Sequence, residues 1–270
     1  MNVLLTGNRG WIAGHIAGML AQNPLIRSID TFDTSICSYK MWESLWLGHC
    51  YSRDKHVDEN GDYDIILHVG GLADLHGSAE QCLASNFFPT VDICNFIRYK
   101  HTKLLYFSSS VARTPDLSAY GTSKYASEKW IEHVLNPEQV CVFQPENVWG
   151  FDEGKKARPS LVYQIWKDTL PVIYEDCVRD FIHVSDVVAA VEQVIREWEP
   201  GTWQIGTGLP TRVSSVPGIL GVPWDRFQKT GEPPYQAVKV ADSLKLLPGW
   251  KVGINPLPFN EKVKEVELWQ

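Results

Sequence analysis

The 270-residue sequence lacks the patterns that mark a metal protein, a membrane protein or a nucleic-acid-binding protein. Its six cysteines include no Cys-x-x-Cys pair and its eight histidines no His-x-x-x-His pair, so we expect no structural metal. No apolar run is long enough to span a bilayer, and no basic segment opens the chain as in a signal peptide. The formal net charge of −7 argues against binding to nucleic acid or to an anionic membrane surface.

The cysteines also do not form the pattern of a disulfide framework. Cys94 and Cys141 lie in apolar segments, as small core residues do. We therefore expect reduced thiols and a cytoplasmic location. Internal repeats and low-complexity segments are missing too, which favours an ordinary globular enzyme or binding protein.

Short apolar runs alternate along the first half of the chain with segments of helical periodicity. Strands are predicted at 2–6, 25–33, 63–71, 103–110 and 139–145, and helices at 11–21, 86–99 and 120–135. This alternation predicts the α/β class, with a doubly wound parallel sheet of the Rossmann type over residues 1–145. A smaller substrate-binding region is expected over 146–270, with the segment 181–206 returning to the first sheet.

The stretch "LLTGNRGWIAGHI" (4–16) joins the first strand to the first helix. Gly7 permits a tight turn, and Gly10 permits a ligand to approach the backbone. The N–H groups at the start of the helix then face a pyrophosphate, while Ala13 is small enough for close helix–strand packing. The turn predicts a dinucleotide site.

Asp30 and Arg9 make opposite predictions about which dinucleotide binds. Asp30 follows Gly10 by 20 residues and ends the second strand, where a carboxylate accepts both adenosine ribose hydroxyls and favours NAD. Arg9 could instead hold the 2′-phosphate of NADP. Because the carboxylate would repel that phosphate, we expect NAD, with NADP as the alternative.

Tyr120 and Lys124 are spaced to share one helix face. A nearby ammonium stabilises a phenolate, so the pair can supply a general base or acid. The serines 108–110 follow a buried strand at the predicted crevice, where a hydroxyl could orient a substrate oxygen toward the phenol.

Taken in order, these segments resemble the extended short-chain dehydrogenase/reductases, in the NAD-dependent sugar-nucleotide epimerase/dehydratase family that includes UDP-glucose 4-epimerases. The matching segments are "TGNRGWIAGHI", "ID" (29–30), "DIILHVGG", "SNFFPTVDIC", "FSSS", "YGTSK", "FQPENVWG", "VRDFIHVSDVV" and "GTWQIGTG". They extend over most of the chain. The resemblance implies an enzyme that binds a nucleotide sugar. It also implies a homodimer, because members of the family often dimerise through the helices that correspond to those predicted at 86–99 and 120–135.

The resemblance also implies roles for individual residues. Catalysis falls to Ser110, Tyr120 and Lys124, and substrate binding to Ser110, Asn147 and Arg179. Cofactor contacts, with Arg9 added from the argument above, fall to Gly7, Arg9, Gly10, Trp11, Ile12, Asp30, Val69, Gly70, Gly71, Tyr120, Lys124 and Pro145. Asp54 matches an acid near the adenine ring.

Departures from the family pattern reduce the number of reactions that this chain is expected to catalyse. Family 4,6-dehydratases carry an Asp-Glu pair directly after the catalytic hydroxyl, where this chain has Val111 and Ala112. The remaining chemistry is 4-epimerisation through a transient 4-keto sugar. One alternative is an NADP-dependent keto-sugar reductase. The other is a catalytically idle NAD(P)-binding sensor, because the segment between Ser110 and Tyr120 is short and a second diphosphate-binding arginine is not evident.

Overall fold

The computed structural model describes residues 1–32, 62–150, 152–153, 159–167, 169–170, 172–230 and 238–253. The chain forms two compact units. The first comprises Met1–Gln144 and Glu192–Trp203, and the second comprises Pro145–Val191 and Gln204–Gln270. Across the described ranges, none of the helices has both the length and the apolar character that crossing a bilayer requires.

Strands and helices alternate from the N-terminus onward. The strands are β1 (Asn2–Thr6), β2 (Ser28–Phe32), β3 (Ile65–His68), β4 (Lys103–Phe107), β5 (Val140–Pro145), β6 (Asn147–Trp149), β7 (Val172–Tyr174), β8 (Val178–Arg179), β9 (Phe181–His183), β10 (Gly201–Ile205), β11 (Thr211–Arg212), β12 (Gln228–Thr230) and β13 (Val238–Lys239). The α-helices are α1 (Trp11–Gln22), α2 (Ala79–Cys82), α3 (Phe88–Ile97), α4 (Ala119–Val134), α5 (Leu161–Trp166), α6 (Val184–Arg196) and α7 (Val216–Leu220).

The first unit is built on a six-stranded sheet with the order β10-β5-β4-β3-β1-β2. Its ladders β1·β2, β1·β3, β3·β4 and β4·β5 are parallel. This confirms the predicted α/β class and the Rossmann-like sheet. The chain passes from β1 to β2 on one side and returns to β3 on the other. The strand order therefore reverses beside β1, which is where open parallel sheets bind ligands.

The central strands are buried along their whole length. All residues of β3 and β5, and all but the first of β4, lie in the interior. Burial on both faces explains the continuous apolar runs that predicted these strands. One side of the sheet packs on α3 and α4 through a cluster that includes Leu4, Ile66, Ile93, Ile97, Leu104, Tyr106, Ile131 and Val142.

Local signals set the ends of the helices beside the sheet. The hydroxyl of Ser118 accepts a hydrogen bond from the Gly121 backbone N–H at 3.0 Å, so α4 begins at Ala119, one residue before the predicted start. The helix predicted over 86–99 is instead a π-helical turn, Leu83–Phe87, followed by α3. Pro89 lies in the first turn of α3, directly after the π-helical turn.

The second unit contains small sheets rather than one large one. The strands β6 and β9 pair in parallel, β7 pairs in parallel with β12, and β8 lies between β11 and β13. Its separate core includes Trp149, Val162, Ile165, Ile173, Phe181, Val213, Val216 and Phe227.

The segment 181–206 is divided between the units. Glu192–Trp203 belongs to the first unit, and β10 extends its sheet. Residues 181–191 and 204–206 belong to the second unit, where β9 pairs with β6. The division of labour between a cofactor-binding and a substrate-binding part stays a proposal.

Candidate active site

The glycine turn after β1 requires glycine for two reasons. Gly7 has φ +73°, which disfavours side chains, and a Cβ there would lie 2.4 Å from the Gly70 Cα. The turn is closed by a hydrogen bond of 2.7 Å from the Gly10 N–H to the Gly7 carbonyl. The turns that follow β1 and β3 are therefore in backbone contact at the point where the strand order reverses.

The N-terminus of α1 has the features of an anion site. The helix begins at Trp11, its cap residue Gly10 is extended, and no side chain caps it. Its first turn carries no acidic residue. The first N–H groups and the positive end of the helix dipole therefore face outward. Neither the cap residue nor the first turn places a negatively charged side chain against them. Trp11 and Ile12 are half-buried beside them, and Arg9 is exposed at the tip of the turn.

Asp30 lies in the middle of β2, opposite Leu4, and the strand continues to Phe32, so Asp30 does not end the strand as predicted. Its Oδ2 accepts a hydrogen bond of 2.8 Å from the phenol of Tyr63. Asp30 itself is half-buried, whereas Tyr63 is in the interior. The bond holds one carboxylate oxygen and so restricts the orientation of the other. The glycine turn and the open helix N-terminus fit the pyrophosphate of a dinucleotide.

The turn Val69–Gly71 brings the sheet edge against the helix α4. A Cβ on Gly71 would lie 3.2 Å from Nζ of Lys124 and 2.5 Å from Oδ1 of Asn86. The Asn86 side chain accepts from the Leu72 N–H at 2.8 Å and donates to Oγ of Ser123 at 2.9 Å. Asn86 thus ties the turn after β3 to the helix that carries Tyr120 and Lys124.

Lys124 is buried with its ammonium at the end of β4. Its Nζ donates a 2.7 Å hydrogen bond to the carbonyl of Phe107, and the ammonium lies 4.9 Å from the centre of the Tyr106 ring. Burial lowers the pKa of Lys124 to about 7, while the charge of Glu128 acts in the opposite direction. At neutral pH this ammonium is therefore close to its titration point.

Tyr120 is 8% exposed, at the start of α4. Burial raises the pKa of its phenol, and a hydrogen bond with the side chain of Ser109 lowers it. The serine whose side chain contacts the phenol is thus Ser109, and Ser110, which the resemblance implies for catalysis, is the next residue. Ser110 is buried and begins a 3-10 turn, Ser110–Arg113, with the apolar Val111 and Ala112 where dehydratases carry acids.

The sequence analysis did not predict two buried polar residues of this site. Glu128 accepts hydrogen bonds at Oε1 from the hydroxyl of Ser108 and, at 2.9 Å, from Nε2 of Gln144. Its spacing gave a signal, since Tyr120, Lys124 and Glu128 recur every four residues on one helix face.

The second of these residues is His68, at the end of β3. Its Nδ1 lies 2.7 Å from Oγ1 of Thr6, and its Nε2 lies 3.1 Å from Oγ1 of Thr90. Because the Thr90 hydroxyl donates to the Asn86 carbonyl, it accepts from Nε2–H, and Nδ1 accepts from the Thr6 hydroxyl. Burial lowers the pKa of His68 to about 3, so the ring is neutral at physiological pH.

The remaining predicted residues lie in the second unit, apart from Asp54, which falls outside the described residues. Pro145 ends β5. Asn147 donates from its backbone N–H and from Nδ2 to the carbonyl of Asp180, at 3.1 and 3.0 Å. The buried Asp180 carboxylate accepts from the N–H groups of Thr207 and Gly208 at 2.9 and 2.8 Å. This arrangement fixes the backbone beside Arg179, which is half-buried in β8.

Comparison with known proteins identifies relatives over nearly the whole chain. A sequence model of the "NAD dependent epimerase/dehydratase family" matches residues 3–206. A protein of Methanocaldococcus jannaschii, provisionally named UDP-glucose 4-epimerase, is 26% identical over 306 aligned positions that cover 99% of this chain and 97% of the relative.

Solved structures of that family have the same fold. The UDP-glucose 4-epimerase of Thermus thermophilus, in complex with NAD, matches with a TM-score of 0.73 at 18% identity over 96% of both chains. The dTDP-glucose 4,6-dehydratase of Bacillus anthracis, also with NAD, matches with a TM-score of 0.72 at 18% identity, over 99% of this chain and 97% of the other. Epimerases and dehydratases fit equally well, so the fold does not choose between the two reactions.

Proposed function

The chain belongs to the NAD-dependent epimerase/dehydratase family, and on that premise we propose that it is a sugar-nucleotide 4-epimerase that works through a transient 4-keto sugar. Membership makes it an enzyme of the short-chain dehydrogenase type. The observation that carries the finer proposal is the contact between the turn Val69–Gly71 and the ammonium of Lys124, one helical turn from Tyr120. It sets an acid–base pair against the turn that would lie beneath a dinucleotide.

The first unit supplies the groups that would hold NAD. Gly7, Gly10, Trp11 and Ile12 form the open helix N-terminus for the pyrophosphate, and Asp30 would accept the adenosine ribose hydroxyls. When bound, NAD would take a hydride from the sugar carbon and return it to the opposite face.

Tyr120 would move the proton of the C4 hydroxyl. Its phenol oxygen takes the proton as hydride leaves and returns it when hydride comes back. The charge of Lys124 stabilises the phenolate, and a serine hydroxyl orients the sugar oxygen. We propose Ser110 for substrate contact, as the family pattern implies, and add Ser109 because its side chain bonds the phenol.

The turn after the serines favours epimerisation over dehydration. Val111 and Ala112 carry no group that could expel water, and Ala112 is buried. A net NADP-dependent reductase is the second candidate, supported by the exposed Arg9 beside the pyrophosphate position. We favour NAD because the carboxylate proposed for the adenosine ribose, that of Asp30, would repel a 2′-phosphate.

We also propose that the second unit binds the nucleotide part of the substrate. Arg179 would hold the diphosphate, since a guanidinium pairs with two oxygens at once, and Asn147 would reach the same phosphates. Pro145 would border the nicotinamide. A homodimer through α3 and α4 is proposed from the family pattern. The described cysteines, Cys82, Cys94, Cys141 and Cys177, are free thiols, which supports the proposed cytoplasmic location.

The test is incubation of the purified protein with UDP- and GDP-sugars and catalytic NAD, followed by NMR of the sugar ring. We expect C4 epimers with no net NADH, and loss of turnover in Tyr120→Phe. Stoichiometric NADPH oxidation would favour the reductase instead. NAD binding that is the same in wild type and Tyr120→Phe, with no turnover in either, would favour the sensor.

A further inference from the structure

The carboxylate of Glu128 lies on the same helix face as the proposed acid–base pair. Tyr120, Lys124 and Glu128 occupy successive turns of α4, and all three side chains are buried. A carboxylate in the interior is stable only when it is hydrogen-bonded or paired. The contacts of Glu128 therefore indicate what it does.

Glu128 and Lys124 are anchored to two consecutive residues. Oε1 of Glu128 accepts from the hydroxyl of Ser108, and Nζ of Lys124 donates to the carbonyl of Phe107. Gln144 on β5 donates a second bond to the carboxylate. The two charged groups are thus held at the same end of β4, and each donor to the carboxylate favours its ionised form.

The ammonium has little else to stabilise its charge. Its hydrogen-bond acceptor is a carbonyl, and the Tyr106 ring offers only its π face. Burial lowers the pKa of Lys124 to about 7 even though the negative charge of Glu128 acts to raise it. The raised pKa that burial gives Glu128 is in turn opposed by its bonds from Ser108 and Gln144.

Other titratable groups face the pair from four elements. They are His68 of β3, Tyr106 of β4, Cys82 of α2, and Tyr120, Lys129 and Glu132 of α4. Burial keeps the histidine neutral and raises the pKa of each tyrosine and of the cysteine, so these groups carry no charge near pH 7. Lys129 and Glu132 pair with each other at 2.6 Å on the solvent side, where their charges compensate.

We propose that Glu128 is a positioning residue that increases the charged fraction of Lys124 at neutral pH and thereby sets the pH range in which Tyr120 can act. The inference rests on the proposed roles of Tyr120 and Lys124. Without the Glu128 charge, Lys124 loses its proton at lower pH. The phenolate then loses its cation, and the basic limb of the activity profile moves to lower pH.

The direct test is NMR of protein labelled with 13Cε-lysine, with the Lys124 resonance identified from Lys124→Met. Glu128→Gln keeps a carbonyl acceptor for Ser108 and Gln144 but removes the charge. We expect the Lys124 pKa to fall by about one pH unit in this variant. Glu132→Gln makes the same change one turn further along α4, on an exposed side chain, and should leave the Lys124 pKa in place.

An unchanged Lys124 pKa in Glu128→Gln would overturn the inference. If Glu128→Gln does not fold, the ionisation state of Glu128 in the wild type tests the inference. The protein is labelled with 13Cδ-glutamate, and Glu128→Asp identifies the Glu128 resonance. We expect Glu128 to be ionised at pH 7. A protonated Glu128 there refutes the proposed charge.

The activity profile separates this inference from the proposed function. The basic limb of kcat/KM against pH should shift in Glu128→Gln by the same amount as the Lys124 pKa. Turnover of a nucleotide sugar without any shift refutes the role of Glu128 and leaves the epimerase proposal standing. A shifted Lys124 pKa with no turnover in the wild type refutes the epimerase and leaves the charge coupling.

Discussion

The phenol of Tyr63 donates a hydrogen bond of 2.8 Å to Oδ2 of Asp30. The two residues are 33 positions apart in the chain, and Asp30 lies in the middle of β2. Asp30 is the residue proposed to recognise the adenosine ribose. The bond therefore connects a buried tyrosine with the choice of cofactor.

Tyr63→Phe should weaken NAD binding about fivefold, because the carboxylate loses one fixed hydrogen bond worth about 1 kcal/mol and becomes free to turn. Isothermal titration calorimetry with NAD and with NADP measures this directly. The matched control is Tyr99→Phe, an 86% exposed tyrosine, which should bind NAD as the wild type does. Tighter binding of NADP than NAD by the wild type would contradict the role given to Asp30.

Gly7→Ala should destabilise the fold by roughly 3 kcal/mol, because it combines a positive φ with a Cβ only 2.4 Å from the Gly70 backbone. Urea unfolding measures the loss, and NAD binding should fall with it. Gly14→Ala is the control: it lies in α1 with nothing within 4 Å of an added Cβ, and should stabilise by about 0.5–1 kcal/mol. Equal effects of the two substitutions would refute the close approach of the two turns.

Ser109→Ala and Ser110→Ala should fail in different ways. The Ser109 bond lowers the pKa of the Tyr120 phenol, so its loss should move the acidic limb of kcat/KM to higher pH. Ser110→Ala should lower kcat at least about tenfold without moving that limb, because its proposed contact is with substrate. Each variant controls for the other. The opposite pattern would assign the substrate contact to Ser109.

His68→Gln should reduce the loss of stability in mild acid. The folded pKa of His68, about 3, lies below its unfolded value, so between about pH 6.5 and 3 only the unfolded chain binds this proton. Stability rises with pH in that window and falls by up to about 1.4 kcal/mol per unit of acidification. Urea unfolding at pH 7, 6 and 5 should show a shallower fall for the variant. Parallel slopes would mean that His68 is not buried as a neutral ring.

Individual elements show how much of the fold could be predicted from the sequence. The apolar runs of β3 and β5 predicted a parallel α/β sheet, and the fold and the family comparison confirm it. The segments around Gly7 and Tyr120 predicted the family. The helix over 86–99 was only partly right, since Leu83–Phe87 is a π-helical turn, which periodicity does not reveal. The site residues themselves remain predictions for the experiments above.

What the sequence by itself determined is the set of local features: strand runs, the glycine turn, and the four-residue spacing of Tyr120 and Lys124. These depend on backbone conformation and helix geometry, which neighbouring residues impose on each other. Only the tertiary structure decided that Glu128 shares the end of β4 with Lys124, that Ser109 meets the phenol, and that Tyr63 holds Asp30. Such contacts depend on how strands, turns and helices pack against one another, which local sequence patterns do not specify.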